Sequence, residues 1–192
     1  MTSREKILAA VSANKPDLLP LPEINVPVSS DDVVQRFVTV AAGIGTKVYM
    51  ADSLEKVKEI IHASLNTSLR VIASLPAFSD FAETDITGLD PHSLEDTEVA
   101  ILEAEMGVAE NSALWVPEDN MMQRVLPFIC QHLVMIVRKD EIVDNMHLAY
   151  EKMAAYKSGY GAFIAGPSKT ADIEQSLVLG AHGPRSLTIF LM

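Results

Sequence analysis

The first half of the chain alternates between segments with apolar residues at helical spacing and short continuous apolar runs. This alternation predicts, in order, a helix over residues 31–42, a strand over 47–51, a helix over 54–65 and a strand over 69–74. Ser30, or Asp31 beside it, is placed to cap the first helix, and Ser53 the second. Helix, strand, helix, strand is the repeating unit of a parallel sheet, so the sequence predicts an α/β fold: a single domain with a mostly parallel central sheet and helices on both faces.

The segment before this domain has a different composition. Residues 3–13 predict a short amphipathic helix with Ser3 as its cap, and four prolines follow before residue 30. Proline blocks helix formation and central-strand pairing, so we expect an extended arm there. The chain thus divides into an N-terminal helix and proline-rich arm, residues 1–30, and an α/β domain, residues 31–192. The arm either packs on its own domain or docks a partner.

Apolar runs continue through the second half. They predict strands over residues 99–102, 113–116, 133–137, 162–165 and 187–192, and a helix over 143–155. The first two of these strands are separated by a bend that contains Glu103, Glu105 and Glu110. We expect that pair to form a hairpin with its acids at one sheet edge. Such carboxylates act as acid and base, bind a cation, or form a solvated surface, and the last alternative is favoured for Glu103.

The polar segment between the last two predicted strands holds the densest group of candidate binding residues. It offers hydroxyls, an amine and free backbone N–H groups between two buried strands, which is a common ligand site on an α/β sheet. Thr170 is placed to cap a helix whose first turn contains Asp172 and Glu174, so Asp172 either orients the amine or only stabilises that helix. We expect a small anion to be bound by Gly166, Ser168, Lys169, Thr170, Asp172, Arg185 and, from earlier in the chain, Arg124.

The chemistry of several other residues depends on which groups the fold places beside them. His182 lies between glycines and is expected to donate a hydrogen bond or carry a proton. Ser168 is a nucleophile only if His182 or Asp172 lies within reach of its hydroxyl. Arg124 is the first cation after 53 residues without one, so it is expected to pair with an acid or with an anionic ligand. Cys130 lies in an apolar segment, where a thiol is usually buried and unreactive.

Charge and composition narrow the possible functions. The net charge is −11, and residues 71–123 contain twelve acids and no Lys or Arg, which argues against nucleic acid as a partner. No apolar run reaches the roughly 18 residues that a membrane span requires, and the N-terminus lacks the pattern of a signal peptide, so we expect a cytoplasmic protein without a membrane span.

The same composition predicts no cofactor and no metal. The chain has a single cysteine, whereas an iron–sulfur cluster needs four ligands, and its five histidines are dispersed without metal-ligand spacing. The Gly-Ile-Gly sequence at 43–45 follows a helix and precedes a strand, the reverse of the order in a dinucleotide-binding loop. It therefore predicts a helix end.

Two motifs carry a resemblance to a known family. Gly-Pro-Ser-Lys-Thr-Ala-Asp-Ile-Glu, followed by Leu-Gly-Ala-His-Gly-Pro-Arg, resembles the C-terminal signature of the LUD-domain family. Val-Ala-Glu-Asn-Ser-Ala-Leu-Trp-Val resembles a second motif of that family, in which Ala-Glu precedes a hydroxyl residue and a glycine. Glu110 matches the glutamate, whereas Asn111 and Ser112 depart from the pair after it. The resemblance implies a NagB/RpiA/CoA-transferase-like architecture.

The resemblance also implies a function. It implies that this chain is a component of the system that oxidises L-lactate to pyruvate. In that system an iron–sulfur LUD-domain protein and a cysteine-rich protein would carry the electrons, and this chain would bind a small anionic metabolite. Two alternatives stay open. One is a stand-alone enzyme on a phosphorylated or CoA-linked metabolite, with Glu110 as acid–base or nucleophile, and the other is a non-catalytic assembly subunit.

Overall fold

A computed structural model of the chain describes residues 2–20, 22, 24–27, 32–156, 159–170 and 178–192. Its helices are α1 (Ser3–Ala13), α2 (Val33–Gly43), α3 (Leu54–Ser64), α4 (Leu126–Ile129) and α5 (Met146–Met153). Its strands are β1 (Lys47–Met50), β2 (Val71–Ala73), β3 (Val99–Glu103), β4 (Met106–Val108), β5 (Leu114–Pro117), β6 (His132–Val137), β7 (Ile142–Val143), β8 (Gly161–Ile164), β9 (Lys169–Thr170), β10 (Val178–Leu179) and β11 (Ser186–Leu191).

The central sheet has five strands in the order β1-β11-β6-β3-β2, and every neighbouring pair is parallel. β6 lies in the middle, and its residues 133–137 are buried, as a continuous apolar run predicts. The last strand of the chain, β11, is inserted between β1 and β6. The predicted α/β fold with a mostly parallel central sheet is confirmed.

Helices cover both faces of this sheet, and each face has its own core. On one face, Val57 and Ile61 of α3 pack with Phe78 and Phe190. On the other face, Phe37 of α2 packs in a larger cluster that also includes residues of α4 and of a second sheet. Helical spacing predicts these contacts correctly, because the buried residues of α2 and α3 recur every four positions.

The second sheet is the main feature that the sequence does not predict. It has four strands in the order β7-β4-β5-β8, in which β5 pairs antiparallel with both β4 and β8. The expected hairpin of the strands at 99–102 and 113–116 is therefore wrong, because these strands lie in different sheets. β4 and β7 have three and two residues, too few for an apolar pattern to identify them.

Two of the helix caps differ from the predicted ones by one or two residues. Thr2, not Ser3, caps α1, and its side chain accepts a hydrogen bond from the backbone of Glu5 in a capping box. Asp32 caps α2, one residue after the predicted positions 30 and 31, which lie outside the described residues. Ser53 caps α3 as predicted.

The N-terminal segment makes little contact with the domain where the structure describes it. No residue of α1 is buried, and Ile7, Leu8 and Val11 are each more than half exposed. The division into an arm and a domain stays a prediction. Among the described helices, none is both long and apolar enough to cross a membrane.

Gly107 of β4 permits close packing of α2 against the second sheet. A Cβ atom at this position would lie 2.6 Å from Cδ1 of Ile142 and 3.0 Å from Cε2 of Phe37. We expect Gly107→Ala to lower the free energy of unfolding by about 1–3 kcal/mol, because buried side chains would have to shift. Urea denaturation measures this. Gly43→Ala is the control, since nothing lies within 4 Å of its Cβ position, and equal stability of the two variants would contradict the prediction.

Ser112 adopts a backbone conformation that favours glycine. Its φ is 56°, and its buried hydroxyl has no hydrogen-bond partner among the described residues. We expect Ser112→Gly to raise the free energy of unfolding by about 1 kcal/mol, because it removes both the left-handed strain and the unpaired hydroxyl. Ser79→Gly is the matched control, because Ser79 is exposed and has a φ of −63°. A less stable Ser112→Gly variant in urea denaturation would show that no strain is relieved.

Candidate functional site

The predicted binding loop lies at the amino edge of the central sheet. β9 and β10 form an antiparallel hairpin, and the backbone N–H of Ser168 donates to the carbonyl of Pro184 at 2.9 Å. The backbone N–H of Arg185 donates to the carbonyl of Gln131 at 2.8 Å, directly before β11 and β6 begin. The loop therefore closes against the first residues of these strands. Ligand sites of parallel sheets are usually at the carboxyl edge, but here the strand before the loop, β8, belongs to the second sheet.

Two glycines permit this closure. Gly166 has a φ of 73°, and Gly180 has a φ of 76°. A Cβ atom at Gly180 would lie 2.3 Å from Cγ of Arg185, so the aliphatic part of this arginine packs directly on the glycine. The backbone N–H of Gly180 also donates to the carbonyl of Ser168 at 3.0 Å. Gly180 thus contacts both Ser168 and Arg185, whereas the Cβ position of Gly166 faces Ile44.

Lys169 extends from this loop to the end of α2. Its Nζ donates to the carbonyl of Ile44 at 2.5 Å, where a cation stabilises the negative end of a helix. The same lysine lines an open cavity of about 430 Å³. The other residues that line it are Ile44, Asn111, Ala165, Gly166 and Pro167. One of the three hydrogens of the ammonium is used by Ile44, which leaves two for a ligand.

The polar groups of this cavity are hydrogen-bond donors. Asn111 accepts a hydrogen bond from the backbone of Ala113 through its oxygen, and its NH₂ group has no partner among the described residues. No described residue in the lining carries a carboxylate. The buried hydroxyls of Thr46 and Ser112, each close in sequence to a lining residue, also lack partners within the part of the chain that the structure describes. This composition suits an anion.

Six described residues of the predicted site do not line this cavity: Glu110, Arg124, Ser168, Thr170, His182 and Arg185. His182 and Arg185 lie in the same loop but are exposed and outside the described lining. Glu110 is exposed, and its Oε2 accepts a hydrogen bond of 2.9 Å from the backbone of Met146, the first residue of α5. This contact favours a structural role for Glu110, because a carboxylate stabilises the positive end of a helix.

Arg124 lies at the far end of β8. It pairs with both carboxylate oxygens of Glu118, at 2.6 and 2.9 Å, and its guanidinium lies 4.7 Å from the centre of the Tyr160 ring. The pairing with an acid is the first of the two predicted alternatives. The guanidinium holds the pKa of Glu118 below its usual range. Because Tyr160 precedes β8 and Gly166 follows it, Arg124 does not share the loop site.

Some of the predicted residues lie outside the part of the chain that the structure describes. Asp172 and Glu174 fall in residues 171–177, outside the described part of the chain, and so does the helix that Thr170 is expected to cap. Thr170 itself pairs with Val178 in the β9–β10 hairpin.

Cys130 is buried, which raises the pKa of its thiol to about 12, so the expectation of an unreactive cysteine holds.

The carboxyl edge of the central sheet holds a second open cavity of about 430 Å³. Glu105 is one of the residues that line it, and its two oxygens accept hydrogen bonds from the Asn120 amide at 3.1 Å and the Tyr156 hydroxyl at 3.3 Å. Burial, together with Glu105, raises the pKa of Glu103 nearby. Glu103 and Glu105 thus share one sheet edge as predicted. Within the described ranges, no group of three or more His, Cys, Asp or Glu is arranged to hold a metal ion.

Sequence reasoning missed a group of side chains beside the loop. Ser186 Oγ lies 2.7 Å from Nδ1 of His132, and Nε2 of His132 lies 3.7 Å from Oε1 of Glu98. These residues begin or immediately precede β11, β6 and β3. They are far apart in sequence, and only the strand order brings them together. The sequence feature that could have indicated this group is a polar residue at the start of each of these buried strands.

Comparisons with known proteins agree with this fold and these motifs. A protein of Geobacillus thermodenitrificans named lactate utilization protein C is 35% identical over 97 residues, which are 47% of this chain and 40% of that protein. A protein of the same name from Deinococcus radiodurans is 26% identical over 95% of this chain and 90% of its own length. The chain therefore aligns with less than half of the first relative and with most of the second.

A solved structure supports the architecture, and a comparison with family patterns shows to which family the sequence belongs. The crystal structure of a DUF162 family protein from Deinococcus radiodurans superimposes with a TM-score of 0.65 at 18% identity, covering 86% of this chain and 99% of that one. At this identity it shows the fold alone. The pattern of the LUD domain matches residues 90–192, which include β3, β6, the binding loop and β11. Because this match covers more than half of its length, the chain belongs to the LUD domain family.

Proposed function

We propose that this protein is a component of a lactate utilisation system, which oxidises L-lactate to pyruvate. The observation that carries the proposal is the similarity to the Deinococcus radiodurans protein named lactate utilization protein C, which extends over 95% of this chain and 90% of that protein. The similarity to the Geobacillus thermodenitrificans protein of the same name is higher but covers a shorter region.

The electrons of lactate oxidation are carried by other proteins. Two-electron oxidation needs a carrier, and iron–sulfur clusters are held by sets of cysteine thiolates. This chain has one cysteine, and Cys130 is buried with a raised thiol pKa. The proposed partners are therefore an iron–sulfur LUD-domain protein and a cysteine-rich protein. The role of this chain is to hold a ligand or to complete the assembly.

The proposed ligand is a small carboxylate in the cavity beside Lys169. The ammonium of Lys169 and the free NH₂ group of Asn111 both donate hydrogen bonds, and no carboxylate in the described lining opposes an anion. The cavity of about 430 Å³ is large enough for lactate or pyruvate. Arg185 and His182 lie in the same loop but outside the lining of the cavity, so the proposed contacts are those of Lys169 and Asn111.

Deletion of the gene tests the proposed role in the cell. We expect growth on L-lactate to stop and growth on pyruvate to continue, because only the oxidation step would be lost. Cell extracts should then lack L-lactate oxidation, and a plasmid with the intact gene should restore it. Unimpaired growth and oxidation in the deletion strain would refute the proposal, whereas lost growth on pyruvate as well would point to a general defect.

Removal of the lysine charge tests the ligand site. We expect Lys169→Met to weaken binding of L-lactate or pyruvate to the purified protein by about tenfold or more, because a charge-assisted hydrogen bond contributes about 1.5–3 kcal/mol. Asn111→Ala should weaken binding less, since its amide is neutral. Titration followed by NMR measures both affinities. Lys139→Met is the matched control, because Lys139 is an exposed lysine away from the cavity. Equal affinities of the Lys169 and Lys139 variants would exclude this cavity.

A further inference from the structure

The amino edge of the central sheet brings a hydroxyl, an imidazole and a carboxylate together from three adjacent strands. Ser186 and His132 are paired in register as the first residues of β11 and β6, and Glu98 immediately precedes β3. The Oγ to Nδ1 distance is 2.7 Å, and the Nε2 to Oε1 distance is 3.7 Å. The side chains of His132 and Glu98 are 25% and 22% exposed, so solvent reaches the group.

The surroundings of His132 favour the neutral form of its imidazole. Burial lowers the pKa of His132, Glu98 opposes this, and the charges of Arg185 and Lys47 lower it further. In the neutral tautomer with its proton on Nε2, that N–H faces Glu98 and Nδ1 accepts the hydroxyl hydrogen of Ser186. A hydroxyl that donates to a neutral imidazole, which an acid orients, is the arrangement of an activated nucleophile.

We propose that Ser186 is a nucleophile in acyl transfer, with His132 as its general base and Glu98 as the residue that positions the imidazole. Ser186 Oγ bonds to the carbonyl carbon of an activated ester or thioester while Nδ1 of His132 takes the hydroxyl proton. The bond to the alcohol or thiol breaks, and that group leaves with the proton. Water then attacks the carbonyl carbon of the serine ester and gives a proton to His132. His132 passes that proton to Ser186 Oγ as the ester bond breaks, which releases a carboxylic acid and restores Ser186.

Two cations select the acyl donor. The charges of Arg185 and Lys47 act on the imidazole and raise the local concentration of anions at this edge of the sheet. The substrate class is therefore an acyl ester or thioester that itself carries a negative charge. This site is separate from the anion cavity, because the lining of that cavity includes neither Ser186 nor His132.

Acylation by two model esters tests the proposal on the intact protein. p-Nitrophenyl acetate and the anionic mono-p-nitrophenyl succinate are incubated with it, release of p-nitrophenolate is recorded, and peptide mass spectrometry locates the acyl group. We expect the acyl group on Ser186 and faster reaction with the anionic ester. The rate should rise with pH and level off, with a midpoint below the ordinary histidine value, because only the neutral imidazole takes the proton.

Variants separate catalysis from a structural hydrogen bond. We expect His132→Gln to slow acylation by about 100-fold and Glu98→Gln by about tenfold, and Ser186→Ala to lose the acylated peptide. His92→Gln and Ser79→Ala, at exposed positions, are the controls and should react like the unaltered protein. Circular dichroism checks that each variant folds. An acyl group absent from Ser186 of the unaltered protein, or an unchanged rate in His132→Gln, would show that the serine–imidazole contact is structural.

Discussion

The position of β11 between β1 and β6 determines where the polar groups of this protein meet. Its six residues pair with β6 along their full length, and five of them are buried. Parallel register aligns the first residues of the strands at one edge, so the loop that ends at Arg185 must lie beside the start of β6. The apolar strand β11 therefore determines where the loop and the Ser186–His132–Glu98 group lie. Only the first residue of this strand, Ser186, belongs to either of them.

The two edges of the central sheet differ in charge. Lys47, Lys169 and Arg185 outnumber Glu98 at or near the amino edge, whereas Glu103 and Glu105 lie at the carboxyl edge, where Arg138 partly offsets them. The long stretch without Lys or Arg, residues 71–123, supplies the acids of the second edge. An anion would be attracted to the amino edge and repelled from the carboxyl edge, although the latter is the usual ligand site in parallel sheets. The proposed anion site therefore follows the charge of the edges and not the topological expectation.

Most of the central sheet follows from the sequence because its elements have strong local signals. Continuous apolar runs identify β3, β6 and β11, and four-residue spacing identifies the buried faces of α2 and α3. The second sheet does not follow, because β4 and β7 are shorter than any reliable pattern. Their pairing is decided by tertiary packing around Gly107, where Ile142 and Phe37 approach too closely for any side chain.

The candidate site divides in the same way between local and long-range information. Gly166, Ser168, Lys169 and Arg185 could be grouped from sequence, because a single loop contains them. His132 and Ser186 could not, since 54 positions separate them and only the strand order makes them neighbours. Arg124 was expected to pair with an acid or with an anionic ligand because it is the first cation after 53 residues without one, and its contact with Glu118 shows that the sign of a charge does not reveal its partner.

The strain at Ser112 links the fold to the proposed anion cavity. A serine in the left-handed region with a buried, unpaired hydroxyl costs free energy twice, through its backbone and through its oxygen. The conformation also lets Asn111 accept from the backbone of Ala113 while its NH₂ group stays free at the cavity. A hairpin under no functional constraint would relieve both costs with a glycine. These two costs in free energy fit a position next to a binding site, where the conformation of Ser112 holds the Asn111 amide in place for the ligand.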